Sequence, residues 1–398
     1  MPNVSDKYAH TEGSAIVAIN MKAKALAKEG REIFNFSIGV PGFLPPKHVY
    51  DAAHEAVDED IGSYLPSGGS ELAREAFIGL LKKLGFEYDL PETCVTMGAK
   101  NALTGLCMVL CNKGDEVLFP APYWSSYIQT VEMADAVPVS IECSSAQNYK
   151  LTAEQLEAAI TPKTRIFLFN NPSNPTGMVY TKQEITDLAA VLKKHNIWII
   201  SDDLYDKIIF DGEAFHHLLT AEPELKDRML IVQSVSKSYG MPGWRVGFVA
   251  APQKIIKMMV SLASNTVMNI PWVSQKAAAA ALSGDQTFIS ERCAEFKQKR
   301  DTVMDSLNSI PDMKCPFPKG AFYAFPDCSA FMGKTYKGEV ITDDVRLCEL
   351  LLEHKGIATV PGSAFGHEGA LRISYACDME TLEKGMVHFE TFFHEIEK

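Results

Sequence analysis

Arg165-Ile166-Phe167-Leu168-Phe169 runs directly into Asn170-Asn171-Pro172-Ser173-Asn174-Pro175-Thr176-Gly177. The apolar run reads as a buried strand. The Asn, Pro, Ser and Gly residues behind it form turns and cannot extend the ladder. Thr181 with Glu184 then opens a helix, because a hydroxyl and a carboxylate three residues on satisfy the free N–H groups of a first turn. Working outward, the same sequence of strand, polar loop and helix recurs. Apolar runs at 94–97, 116–119, 197–200, 229–232 and 245–249 alternate with amphipathic stretches. Among these are a helix over 70–84 ended by Gly85 and one opened by Thr152 with Gln155. This alternation predicts an α/β fold with a mostly parallel sheet between helices. Beyond about residue 285 the pattern changes to a charged helix (288–307), a strand-rich stretch (320–325), a helix (342–354) and a strand (371–375). The expected division is a large domain over 46–285 and a smaller α+β domain over 286–398, joined by the N-terminal segment 1–45.

The chain has 398 residues, which at roughly 150 per domain allows about two to three domains. With 46% hydrophobic and 22% charged residues it can bury a large core, so disorder is excluded. A formal charge of −12 argues against a nucleic-acid surface, which needs clustered positive charge, but not against a local basic pocket. No apolar run is long enough to span a bilayer, and the first residues lack the apolar centre of a signal peptide. The nine cysteines are odd in number and include no CxxC, which predicts free thiols in a reducing cytoplasm. There is no HExxH, and His388 and His394 are six apart, off a shared helix face, so no metal is expected.

In an open parallel sheet, ligands bind beyond the carboxyl ends of the strands. Five of these ends carry polar or aromatic groups: Gly98-Ala99-Lys100-Asn101, Pro122-Tyr123-Trp124, the Asn170–Gly177 loop, Ser201-Asp202-Asp203-Leu204-Tyr205, and Ser234-Val235-Ser236-Lys237. Each alone is ordinary, since an Asp after a strand is commonly a solvated loop residue and an Asn between prolines a turn former. Together they match the needs of pyridoxal phosphate. Its chemistry takes a lysine amine for a Schiff base and a carboxylate facing the pyridine nitrogen. The phosphate needs N–H, hydroxyl and cationic donors, and the ring needs a flat side chain. Lys237, Asp202, the helix start at 98–101 with Ser234 and Arg245, and Trp124 supply these in turn. Other cofactors fit less well. No GxGxxG is present, and Gly333-Lys334-Thr335 lacks the glycine a phosphate loop needs five residues earlier, where Cys328 stands.

The segments Asn171–Gly177, Ser201–Tyr205 and Ser234–Arg245, in this order and spacing, resemble the class I aminotransferases among the fold-type-I pyridoxal-phosphate enzymes, the aspartate and aromatic aminotransferase relatives. The likeness runs from about Ser14 to the C-terminus. It implies that Lys237 is the Schiff-base lysine and Asp202 the partner of the ring nitrogen. It implies that Asn174 and Tyr205 bind the ring's phenolic oxygen, and that Trp124 stacks on the ring. Ser234, Arg245 and the backbone N–H groups of Ala99 and Lys100 are the implied phosphate ligands. Tyr64 is implied to reach the phosphate from the other subunit of a homodimer. Arg372 is implied to grip the substrate α-carboxylate, with the backbone N–H of Gly39 beside it. The implied substrates are an L-amino acid of the aspartate or aromatic type and a 2-oxo acid such as 2-oxoglutarate.

The chain departs from the family pattern near the substrate. Where many relatives have Gly-Glu-Pro-Asp-Phe, this sequence has Gly39-Val40-Pro41-Gly42-Phe43, and Glu12 stands where some dicarboxylate-using relatives carry a lysine. Ile16, Ile38 and Val40 with Tyr123 are therefore expected to shape a less charged pocket. Three readings stay open on the sequence: an aminotransferase; another pyridoxal-phosphate reaction on the same scaffold, such as a β-lyase or an aminocyclopropane-carboxylate synthase; and a non-catalytic regulator.

Overall fold

The computed structural model describes Ser5, residues 15–59 and residues 62–397. After a short β1 (Phe34–Asn35) the chain lays down β2 (Thr93–Thr96), β3 (Glu116–Ala121), β4 (Val137–Glu142), β5 (Thr164–Asn170), β6 (Trp198–Asp202), β7 (Met229–Ser234) and β8 (Gly247–Ala250). Strands β2 to β8 form one seven-stranded sheet in the order β2-β8-β7-β6-β5-β3-β4. Only β8 runs against its neighbours; the remaining pairs are parallel.

The sheet is covered on both faces, which is why its strands read as unbroken apolar runs. Successive side chains of a strand point to opposite faces. Phe167, Phe169, Ile199 and Ile231 thus join one apolar cluster, and Ile166, Leu168, Ile200 and Val232 the other. Both capping boxes expected from the sequence are present, at the starts of helices Ala153–Ala159 and Lys182–Lys194. Ser70 caps the helix Glu71–Lys83, and Gly85 follows with φ +85°.

One strand expectation needs correction, and one strand was not expected. The run at 245–249 is not strand from its start: Arg245 sits in the left-handed region (φ 57°), and β8 begins at Gly247. Strand β4 carried no clear apolar signal, since Val137 and Glu142 are exposed and Pro138 lies within it. It is the sheet's outer strand, where a missing N–H is tolerated.

Beyond the helix Thr287–Ser309, β9 (Tyr323–Ala324) is shorter than the strand-rich stretch expected there. A small hairpin, β10 (Thr335–Tyr336) and β11 (Glu339–Val340), leads to the helix Asp344–Lys355 and to β12 (Ile357–Ala358), β13 (Val360–Pro361) and β14 (Leu371–Ser374). Strands β13, β14 and β9 make an antiparallel sheet. The helix Met379–His394 adds Phe389 and Phe392 to a core shared with Leu347, Leu351 and Ile373. Strand β1 pairs in parallel with β12, Phe34 opposite Ile357, and the Ser374 N–H donates to the Phe36 carbonyl (2.8 Å). This pairing carries residues 37–39 to the side of β14. Among the described residues no helix is long and apolar enough to cross a membrane, and no group of His, Cys, Asp and Glu could hold a metal ion.

Candidate active site

The register of the central sheet lines up the polar groups at one rim. Asn170 ends β5 opposite Asp202, the last residue of β6. Ser234 ends β7 opposite Gly247, which in turn faces Thr96 at the end of β2.

At the Thr96 side the helix Gly98–Leu110 begins, and its first N–H groups have no partner within the helix. The left-handed turn at Arg245 lays its guanidinium against this helix start. Nη2 donates to the Met97 carbonyl (3.2 Å) and Nη1 to that of Pro242 (3.0 Å). The approach requires glycine: a Cβ on Gly98, where φ is +75°, would lie 2.5 Å from Arg245 Nη2, and one on Gly247 would lie 2.6 Å from the backbone of Gly98. The Ser234 hydroxyl donates to the Val246 carbonyl (2.9 Å) and accepts from the Ser236 N–H (3.1 Å). Lys100 Nζ stands 5.0 Å from the centre of the Trp124 ring. Burial, then the Arg245 charge, lower its pKa. A helix start, a guanidinium, an ammonium and two serines form a cradle for an anion.

Asp202 is only 4% exposed. Its Oδ2 accepts a 2.6 Å bond from the Tyr127 hydroxyl, while its Oδ1 is buried with no partner. Asn170 fixes the backbone here, donating to the Asp202 carbonyl (2.8 Å) and accepting from the Asn174 N–H (2.8 Å). Burial pushes the Asp202 carboxyl up to about 7; the Tyr127 bond opposes this and the neighbouring Asp203 adds to it. Lys237 follows β7 and donates from Nζ to the Gly39 carbonyl (2.7 Å). Burial lowers its pKa to about 8, helped by Arg372 and resisted by Asp202. The Tyr205 ring lies beside Lys237 (Nζ to centroid 5.9 Å), and the Tyr205 hydroxyl meets that of Tyr323 at 2.9 Å.

Arg372, on β14, is 1% exposed. It donates from Nη1 to Asn174 Oδ1 (3.1 Å) and from Nη2 to the Ser37 carbonyl (2.6 Å). Its guanidinium lies 4.7 Å from the Tyr323 ring centre and 4.9 Å from that of Phe365. Its Nε is buried with no partner. Lys100, Lys237, Arg245 and Arg372 thus gather in one crevice of a chain whose formal charge is −12. Their contacts are to carbonyls, an amide oxygen and a ring, and among the described residues none is ion-paired. Arg372 is buried, Lys237 part-buried, and Lys100 and Arg245 stand at the open end, so the crevice is a net positive site that an anionic ligand would complement.

The structure thus brings together Lys237, Asp202, Asn174, Tyr205, Gly39 and Arg372 through direct contacts or mutual electrostatic influence, and Arg245, Ala99, Lys100, Ser234 and Trp124 around the anion cradle. It does not bring in Tyr64, which stands 84% exposed on this chain. Glu12 lies outside the described residues. Of the expected pocket formers, Ile16 packs against the small cluster containing Phe365, and Val40 is half exposed beside Gly39. The sequence pointed to neither Tyr127, Tyr323 nor the Ser37 carbonyl, and placed Asn170 at the rim without a role. Tyr127 had a usable signal: it falls three residues after Trp124, and the two rings meet edge to face at 5.7 Å. A backbone carbonyl such as that of Ser37 has no side-chain signal at all.

Comparison with known proteins gives the family. The family model for aminotransferase class I and II matches residues 31–389. An aspartate aminotransferase of Streptomyces avermitilis is 38% identical over 98% of this chain and 97% of its own. An aspartate/prephenate aminotransferase of Cereibacter sphaeroides is 40% identical over 98% and 99%. The crystal structure of the aspartate aminotransferase from Rhizobium meliloti superposes with a TM-score of 0.96 at 36% identity, covering all of both chains. The Thermus thermophilus aspartate aminotransferase with maleate gives 0.92 at 32%, covering 98% of this chain and all of that one. Matched over nearly its whole length in sequence and in fold, the chain belongs to the class I and II aminotransferases, enzymes that move an amino group between an amino acid and a 2-oxo acid.

Proposed function

We propose that this transaminase works with pyridoxal phosphate held between Lys237 and Asp202, and that its donor is an amino acid of the aspartate type, with a 2-oxo acid such as 2-oxoglutarate as acceptor. The observation that carries the reading is Asp202 Oδ1, a buried carboxylate oxygen with no partner, close enough to the part-buried Lys237 for each to shift the other's pKa. A protonated pyridine nitrogen would satisfy it. When bound, the cofactor supplies an aldehyde for amine exchange and a protonated ring that withdraws electrons from the substrate Cα.

The chain's own groups then divide the work. Arg245, Ser234 and the N–H groups of Ala99 and Lys100 hold the phosphate, and Trp124 offers its flat face to the ring. Asn174 and Tyr205 hold the phenolic oxygen. Arg372 turns its fork to the α-carboxylate, a pairing that fixes orientation as well as charge, and the Gly39 N–H lies alongside. Lys237 Nζ, with its pKa lowered to about 8, holds and gives up a proton at the substrate Cα near neutral pH. Val40 beside Gly39 brings no charge that would oppose a second carboxylate. The relatives' names and the maleate of the Thermus structure point to the same dicarboxylic class.

We further infer a homodimer, supported by the exposure of Tyr64, and a smaller unit built from 1–45 and 286–398, supported by the pairing of β1 with β12. The nine free cysteines agree with a reducing, cytoplasmic setting.

The test is to incubate the purified protein with single amino acids. Aspartate is expected to yield its 2-oxo acid in stoichiometric amount and, with 2-oxoglutarate present, ping-pong turnover exceeding that with phenylalanine. Lys237→Ala is expected to lose the coenzyme absorption band and at least about 10³-fold of turnover, the scale at which general acid–base and covalent roles combine. Wild-type turnover in that variant contradicts the mechanism, and ammonia with a 2-oxo acid in place of transamination assigns a lyase.

A further inference from the structure

Behind Asp202 lies a buried pair that the reaction itself does not use. Asp203 is 1% exposed, and its Oδ1 accepts a 2.6 Å bond from the Ser201 hydroxyl. Its Oδ2 lies 3.2 Å from His217 Nε2, off the ideal hydrogen-bond direction, and neither atom has another partner. His217 is itself buried, with the Phe86 ring 4.8 Å away. Its Nδ1 accepts the Leu219 N–H (3.0 Å) at the start of the helix Leu218–Ala221.

That last bond assigns the tautomer. A nitrogen that accepts carries no proton, so the proton of His217 is on Nε2 and points toward Asp203. A neutral imidazole solvates a carboxylate without cancelling it. An Arg or Lys in the same place would neutralise the charge. The field of Asp203 therefore persists at its neighbour Asp202 and disfavours a second negative charge there. Lys237, Tyr127 and Tyr205 face Asp202 from the crevice side; Tyr88 and Asp206 lie around Asp203, with Lys226 over the Tyr88 ring (4.7 Å) and Lys207 paired to Asp206 (2.8 Å). Among the described residues no Lys or Arg is ion-paired to Asp203 itself.

We propose that Asp203 and His217 are positioning residues for the cofactor: Asp203, fixed by the Ser201 hydroxyl and facing His217 Nε2, makes Asp202 a stronger proton acceptor and so strengthens its grip on the protonated ring nitrogen. The inference rests on the cofactor reading given above.

The test uses the holoenzyme loaded with cofactor carrying ¹⁵N in the ring. Asp203→Asn is expected to move the ring ¹⁵N resonance toward the unprotonated position and to speed cofactor loss about tenfold, the effect of roughly one pKa unit at Asp202. His217→Gln, whose amide can still donate to Asp203, is expected to keep the wild-type resonance; His217→Phe is expected to shift it. An unmoved ¹⁵N resonance in folded Asp203→Asn overturns the proposal and leaves Asp203 a packing residue. Should Asp203→Asn fail to fold, His217→Phe against His217→Gln decides alone: equal resonances overturn the proposal. A wild-type protein that takes up no cofactor overturns instead the reading beneath it.

Discussion

Asp202 shows how a single residue is placed for function at the expense of stability. Its carboxyl, ordinarily near 3.8, is pushed up to about 7 by burial in the cofactor-free chain. Between about pH 4 and pH 7 the folded chain therefore holds a proton that the unfolded chain has released. Folding stability falls as pH rises through that window, and above it the cost of the buried charge is complete. Lys237 has the mirrored effect: lowered from 10.5 to about 8, it costs most below pH 8, and stability recovers as pH rises beyond that. Asp202→Asn removes the carboxylate while an amide oxygen can still accept from Tyr127. At pH 8 the cofactor-free variant is expected to be more stable than wild type by about 1–3 kcal/mol, part of the gain being offset by the lost attraction to Lys237. The advantage is expected to vanish near pH 4. Urea titrations at the two pH values check this, and equal destabilisation at both contradicts it. The same variant is expected to bind cofactor poorly, because the orphan Oδ1 is the atom replaced or turned away.

At the scale of elements, local chemistry made much of the fold legible. The boxes Thr152–Gln155 and Thr181–Glu184 marked helix starts because short-range hydrogen bonding alone decides them. The loops after β5, β6 and β7 were legible because polar residues behind a doubly buried strand have one rim to occupy. What failed to show depended on distant partners. The direction of β8 follows from its pairing with β2, and β4 is an exposed edge whose pattern carries no clear period. Tyr323 gave no sign of its place because the contact with Tyr205 spans 118 residues. The tight meeting of β8 with the helix start at Gly98 is the element-scale feature the anion cradle needs. Gly247→Ala would set a Cβ 2.6 Å from the backbone of Gly98, which no side-chain rotation relieves. Cofactor affinity is expected to fall at least about tenfold, since displacing the helix start weakens several charge-assisted bonds at once. Spectrophotometric titration with pyridoxal phosphate measures it, and unchanged affinity in a folded variant contradicts the cradle.

Over the whole molecule, the crevice is assembled from segments far apart in sequence. Arg372 reaches back 198 residues to Asn174 and 335 to the Ser37 carbonyl. No periodicity or spacing announces such contacts; only the family resemblance singled out the arginine. Tyr64 carries the same logic one step further. A tyrosine 84% exposed has a hydroxyl free to serve a site on another copy of the chain. If it does so, each site of a dimer draws Lys237 from one subunit and Tyr64 from the other. Lys237→Ala homodimers would be inactive, and Tyr64→Ala homodimers weak at limiting cofactor. In a mixed dimer of the two, one site would hold both lesions, and the other would be wild type throughout. Random reassociation makes half of the dimers mixed, so the mixture is expected to regain about a quarter of the wild-type sites. Activity at limiting cofactor after co-refolding, with dimer mass checked by light scattering, reads the result. If Tyr64 instead serves its own subunit, every site in the mixed dimer keeps one lesion and no activity above the Tyr64→Ala contribution returns.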